Sequence, residues 1–155
     1  MILSKGEVYV RTFLEHAKGS ALDIIVDYEV PIGMVALLSS FTEQIRSFHF
    51  LCSRWEEIQS VSEIISGSLP LLHTLTIDIT EEDGLDDFKI TPPSLPPFSN
   101  AVNLEALHFH STSDRSPFVL HLVLPNLVSF DLLIGHWGGF PAFLLFDFLE
   151  GSPML

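Results

Sequence analysis

The sequence predicts an α/β fold of stacked repeats, with a parallel sheet on one face and helices or extended returns on the other, from three observations. Four segments share the pattern apolar-x-x-apolar-x-apolar: Ile45–Phe50, Leu72–Ile77, Leu104–Phe109 and Leu127–Leu132. Two of them are introduced alike, by Pro70-Leu71-Leu72 and by Pro125-Asn126-Leu127. Ahead of them, Leu22, Ile24, Val26 and Tyr28 alternate with polar Asp23 and Asp27, the period of a half-buried strand. The hexads start 27, 32 and 23 residues apart. These intervals lie within or just beyond the roughly 20–29 residues of a leucine-rich repeat, whose units each give one short strand and a return. The expectation is a short, irregular leucine-rich-repeat solenoid of four to five units, a single domain over residues 1–155.

Taken in chain order, the elements follow from local chemistry. Val10, Phe13, Leu14 and Ala17 mark an amphipathic helix that Gly19 ends. The alternating strand 22–28 comes next, and Pro31–Leu38 is a candidate for a shorter helix. After the first hexad, Ser53-Arg54-Trp55-Glu56 has capping-box spacing, and Trp55, Ile58, Val61 and Ile65 continue at near-helical intervals, which predicts a helix over 54–65. The long return from Thr80 to Asn103 carries an acidic run, 81–87, and the prolines of 92–97, so it is expected as an acidic loop and an extended stretch. Gly135-His136-Trp137-Gly138-Gly139 follows the last hexad as a turn. Phe143–Glu150 is a helix closed by Gly151 with Pro153 beyond it. Pro153-Met154-Leu155 repeats the Pro70-Leu71-Leu72 phrase, so the final unit is expected to be incomplete.

Composition limits the function. The chain has 155 residues, 20 Asp and Glu against 7 Lys and Arg, and a formal charge of −13. Nucleic acid is not an expected partner, because the cationic surface that neutralises phosphates is missing. With 47% hydrophobic residues and a mean hydropathy of +0.39, the chain is no disordered acidic tail. No stretch approaches the roughly 18 apolar residues of a membrane span, and the first residues lack a secretory signal, so an intracellular protein, cytoplasmic or nuclear, is expected. The single Cys52 is expected as a buried structural residue rather than a nucleophile.

Stacking the hexads gives rows of side chains across the sheet. Arg46, His73, Glu105 and Val128 form the first row, and Ser47, Thr74, Ala106 and Ser129 the second. His49, Thr76, His108 and Asp131 form the third, and Leu51, Asp78, His110 and Leu133 the fourth. With strands about 4.8 Å apart, the last two rows make one band of three histidines and two carboxylates. That band has three readings. It is ordinary polar decoration of an exposed sheet, or a concave face for a protein partner with Leu51 and Leu133 as apolar anchors. The third is a metal site of His108, His110 and Asp78.

Nothing in the sequence carries a Gly-x-Ser-x-Gly elbow, a phosphate-binding loop, a His-Glu-x-x-His helix or a calcium loop. No cofactor is expected. Segment 10–27, Val10-Arg-Thr-Phe-Leu-Glu-His-Ala-Lys-Gly-Ser-Ala-Leu-Asp-Ile-Ile-Val-Asp27, resembles the stretch that follows the F-box in the F-box and leucine-rich-repeat family of mushroom-forming fungi. Segments 42–48, 69–75, 103–107, 124–130 and 148–155 are similar to repeat phrases of that family. The resemblance implies the substrate-receptor region of a cullin-type ubiquitin ligase, a role that positions proteins and breaks no bonds.

No F-box precedes Val10, since nine residues are too few for a three-helix motif, so an adaptor subunit is not an expected partner. The sequence therefore predicts a non-catalytic module recognising a protein partner through Arg46, His49, Leu51, His73, Asp78, Glu105, His108, His110, Asp131 and Leu133. A truncated remnant without independent activity is the alternative, and a metal-dependent enzyme using the histidine band is the third. The apolar run Phe143, Leu144, Leu145, Phe146 and Phe148 leaves the last unit without a polar cap, so self-association through that end is expected.

Overall fold

A computed structural model of the chain describes residues 7–27, 33, 36–53, 57, 58, 61, 69–80, 98, 101–112, 122–135 and 142–155. Its elements are α1 (Glu7–His16), β1 (Leu22–Val26), a 3-10 helix (Ala36–Gln44), β2 (Ile45–Cys52), β3 (Thr74–Ile79), β4 (Ala106–Ser111), β5 (Ser129–Ile134) and α2 (Ala142–Glu150). The fold is mixed α/β. All five strands lie in one parallel sheet, ordered β1-β2-β3-β4-β5 as they occur in the chain.

Strand alternation divides each strand into an inner and an outer set. Ile24, Phe48, Leu75, Leu107 and Phe130 align across the sheet, and Val26, Phe50, Ile77, Phe109 and Leu132 form the next inward row. The residues of these rows on β1–β4 are buried, whereas Phe130 and Leu132 on β5 are only partly covered. Burying each side chain of this size contributes roughly 1.5–3 kcal/mol, so the two rows supply the main cohesion of the sheet. The opposite face, carrying Ser47, His49, Leu51, Thr74, Thr76, Asp78, Ala106, His108, His110, Ser129, Asp131 and Leu133, is half-buried or exposed. A parallel sheet usually has both faces covered; here the outer residues of β2–β4 are half-buried and those of β5 exposed.

The same turn precedes successive strands. Leu72 N–H donates to the Leu69 carbonyl at 3.2 Å, Leu104 to Ala101 at 3.1 Å, and Leu127 to Leu124 at 3.2 Å. Leu155 N–H repeats it against Ser152 at 3.1 Å, the position where the Pro153-Met154-Leu155 phrase predicts it. Asparagines tie one turn to the next: Asn103 Nδ2 donates to the Pro70 carbonyl at 2.8 Å and Asn126 Nδ2 to that of Val102 at 3.0 Å. Beyond the strands, Thr80 N–H reaches the Cys52 carbonyl, Thr112 N–H that of Ile79 and Gly135 N–H that of Ser111. Gly135 is small for a steric reason. A Cβ there would stand 3.0 Å from the Thr112 carbonyl oxygen and 3.1 Å from its Cα.

The helices differ from expectation in instructive ways. Helix α1 stops at His16, and Gly19 takes the left-handed conformation, φ +81°, that ends it. Its N–H is accepted by Gln44 Oε1 at 3.2 Å. Of the helix expected over Pro31–Leu38, Gly33 is helical and 36–38 belong to the 3-10 helix Ala36–Gln44, which inserts Leu38 into the core and runs directly into β2; the other residues of that stretch lie outside the described ones. Tyr28 lies outside the described residues. Glu57, one place later than the capping-box spacing predicts, carries the carboxylate that accepts from Ser53 N–H at 3.0 Å and from its hydroxyl at 3.4 Å. Residues 57, 58 and 61 are helical, and Ile58 and Val61 are buried; the rest of the 54–65 helix is outside the described residues. So are the acidic run 81–87, the prolines of 92–97 and the 136–139 part of the glycine turn. Phe98 holds φ 62°, a strained value for a side-chain-bearing residue, while its ring packs on Phe48 at a centroid distance of 6.0 Å.

Helix α2 spans Ala142–Glu150 and closes with Gly151, as predicted. Phe148 is buried against Phe130, ring centroids 4.7 Å apart, while Phe146, Leu149, Met154 and Leu155 are exposed. Cys52 is a buried thiol, its Sγ directed at the Asp78 carbonyl. Among the described residues no helix is long and apolar enough to cross a membrane.

Candidate functional site

The outer face of the sheet brings the sequence-predicted residues together in the rows their spacing requires. Ser47 pairs with Thr74, Thr74 with Ala106 and Ala106 with Ser129. His49, Thr76, His108 and Asp131 align next, then Leu51, Asp78, His110 and Leu133. Register forces this: a slip of one residue would turn every apolar hexad position toward solvent.

Across these two rows runs a chain of imidazole–carboxylate contacts. His49 Nε2 is 2.5 Å from Asp78 Oδ2, a diagonal contact between β2 and β3. The other oxygen of Asp78 is 2.8 Å from His110 Nδ1, directly opposite on β4. The second ring nitrogen of His110, Nε2, is 3.1 Å from Asp131 Oδ2 on β5. His108 Nδ1 approaches that same oxygen at 3.7 Å. Both ring nitrogens of His110 therefore face carboxylates, and only the doubly protonated imidazolium can donate to both.

The electrostatics agree with this geometry. Partial burial of His110 opposes its charge, but the hydrogen bond to Asp131 and the charge and hydrogen bond of Asp78 outweigh it, holding the imidazole above its ordinary value of 6.5. Asp131 is lowered, first by its hydrogen bond to His110 and further by the charge of His110 and the approach of His108. Asp78 is the most enclosed member, at 24% exposure, whereas Asp131 stands 57% exposed at the margin.

The first row behaves differently from the other three. Of its members only Arg46 lies within a strand; His73, Glu105 and Val128 sit in the turns just before β3, β4 and β5. They remain in register, because His73 N–H donates to the Arg46 carbonyl, Glu105 to His73 and Val128 to Glu105. His73 Nδ1 lies 3.3 Å from Glu105 Oε1. Arg46 forms a two-pronged pair with Asp23 of β1, with Nε 3.0 Å from Oδ1 and Nη2 on Oδ2. The Arg46 hydrogen bond lowers Asp23 and, reciprocally, raises Arg46. Sequence reasoning missed Asp23, although its period-two position in β1 signals an outward carboxylate.

Leu51 and Leu133 end the fourth row, and Leu133 is 61% exposed. A metal reading for His108, His110 and Asp78 does not match the contacts, since His108 turns to Asp131 while His110 bridges the two aspartates. Among the described residues no group of three or more His, Cys, Asp or Glu side chains is arranged to hold a metal ion. What the face offers is a preformed, water-accessible lattice of donors and acceptors between two apolar points. Comparison with protein-family models, curated proteins and solved structures gives no match to this chain.

Proposed function

We propose that the chain is a non-catalytic protein-recognition module, built as a short leucine-rich-repeat solenoid, whose partner lies on the outer face of the parallel sheet. The family resemblance makes the substrate-receptor region of an F-box ubiquitin-ligase subunit the role in view. One observation carries the reading: the all-parallel sheet in chain order has a half-buried to exposed face on which histidines and aspartates of neighbouring strands are joined by hydrogen bonds. Sequential strand order, a recurring turn before the strands and asparagines that bond to the preceding turn support the solenoid part. Concave sheet surfaces of solenoids, which lie on the side away from the core, serve as binding surfaces because they place many side chains on a stiff frame, which lowers the entropic cost of docking.

The test is recovery of a defined partner from the native source, followed by affinity measurement with purified components. Changing Arg46, His73 or Asp131 to alanine is expected to weaken binding, and each truncation at a docking centre costs about 1–2 kcal/mol or more. Changing exposed Tyr9 on α1 should leave the affinity unaltered. Loss on α1 and none on the sheet would refute the assignment.

A further inference from the structure

The outer face also specifies the chemistry of its partner, an inference that rests on the recognition reading above. With imidazoles neutral, it carries four carboxylates, Asp23, Asp78, Glu105 and Asp131, against one guanidinium, Arg46. The chain as a whole is acidic, at −13. Asp23 is already matched by Arg46 in a two-pronged pair. Among the described residues, Asp78 and Asp131 are matched only by histidines, which are charged only when protonated.

We propose that this face binds a cationic polypeptide segment, one bearing arginine or lysine, laid across β3, β4 and β5 with its charges on Asp78 and Asp131.

Three features fit such an occupant. A neutral His110 has one N–H for two facing carboxylates, so one of them turns a lone pair toward a lone pair and is better served by a guanidinium or ammonium from outside. Asp78 and His110 share their row with Leu51 and Leu133, so the apolar stems of arginine or lysine have side chains to lie on beside each charge. Approach of a basic segment is also favoured at long range by the sign of the whole chain.

The histidines then compete with the ligand. On the facing elements the titratable groups are His49 from β2, Asp78 from β3, His108 and His110 from β4 and Asp131 from β5, with Arg46, His73, Glu105 and Asp23 along the N-terminal border. Protonating His110 lets it donate to both central aspartates from within. Binding of a cationic segment therefore strengthens as pH rises and His110 loses its second proton, and weakens in acid.

Fluorescence anisotropy of a labelled arginine–serine repeat peptide, titrated with the full chain, tests this. At about pH 7.5, the Asp78→Asn/Asp131→Asn variant should bind roughly tenfold more weakly, while Glu15→Gln/Glu150→Gln, with the same loss of charge on the exposed helices, should change affinity by less than about twofold. Wild type should weaken several-fold on acidification to about pH 5.5, and His110→Gln should weaken less. Folding of each variant is checked by circular dichroism, and the single aspartate variants replace the double one should it fail to fold. Equal losses in the two double variants would reduce the effect to diffuse charge and overturn the proposal. A native partner that contacts these rows through an acidic or apolar segment overturns the cationic class and leaves the recognition reading standing. A partner that docks elsewhere removes both.

Discussion

His110 and Asp131 are joined diagonally across β4 and β5, Nε2 to Oδ2 at 3.1 Å, and each shifts the other's proton affinity in the direction that favours the charged pair. Because His110 is raised above 6.5, its contribution to stability is fully present below that value and is lost as pH rises through the folded value. Because Asp131 is lowered below 3.8, its contribution is present above that value and is lost as pH falls through the folded one. The pair thus stabilises most between about pH 4 and 6.5. The expected NMR titration of the His110 ring has a midpoint above 6.5 that moves down in Asp131→Asn. The melting temperature of His110→Gln should fall furthest below wild type near pH 5 to 6 and converge with it as pH rises past the folded His110 value, by a small amount, since solvent screens so exposed a pair. A midpoint indifferent to Asp131→Asn would contradict the contact.

The division of the sheet into two faces predicts opposite outcomes for neighbouring residues. Ile77 is fully buried between Phe50 and Phe109, while Thr76 beside it points outward between His49 and His108. Ile77→Ala should cost about 2–5 kcal/mol in urea or guanidinium unfolding, the loss of buried methyl groups plus the cavity left behind. Thr76→Ala should stay within about 0.5 kcal/mol. Similar costs at both sites would mean that the outer face is covered.

The register of this sheet was readable in the sequence because strand side chains have a period of two, so each hexad announces which positions face inward. Stacking the hexads places His110 beside Asp78 without further information, and the structure has the same rows. The choice among diagonal partners was not readable. His49 turns to Asp78 rather than toward Thr76 opposite, a matter of side-chain rotamer and of where a carboxylate stands. Asp23 was missed because Arg46 finds it across β1–β2, where the ladder shifts by one residue between Leu22 and Asp23. The 3-10 helix Ala36–Gln44 was also unreadable, since its adjacent apolar residues Leu37 and Leu38 follow no helical stripe and the core accepts only the second fully.

Gly135 is a second register mark. It follows β5 directly, donates to the Ser111 carbonyl at 2.7 Å and leaves no room for a Cβ against Thr112 backbone. Gly135→Ala is therefore expected to destabilise by about 1–3 kcal/mol, the usual cost of overpacking against atoms that cannot rotate away. Gly19→Ala offers a control of another kind, with open space around the new methyl but a left-handed backbone, and should cost about 1 kcal/mol. Chemical denaturation separates the two. An unchanged midpoint for Gly135→Ala would show that the end of β5 is free to shift.

Asn103 links the turn before β4 to the turn before β3 through its bond to the Pro70 carbonyl. Neutral hydrogen bonds of this kind contribute about 0.5–1.5 kcal/mol, so Asn103→Ala should lower stability by that amount. Asn103→Asp should be at least as costly, because a carboxylate cannot donate to a carbonyl oxygen. Finding Asn103→Asp as stable as wild type would sink the proposed direction of the bond.

Ser152 occupies, in the last turn, the place held by Leu69, Ala101 and Leu124 in the earlier ones, as the matching turn bonds show. It is 1% exposed, and its hydroxyl has no hydrogen-bond partner among the described residues. A buried hydroxyl without a partner costs on the order of 1–3 kcal/mol, whereas the methyl of alanine costs nothing there and already fits the equivalent site at Ala101. Ser152→Ala should accordingly raise stability, by up to about 1 kcal/mol after allowing for the hydroxyl's lost rotamers in the unfolded chain. The measurement is the guanidinium midpoint at constant slope. A fall in midpoint would mean that the hydroxyl is bonded in solution and that the last turn is not packed like the three before it.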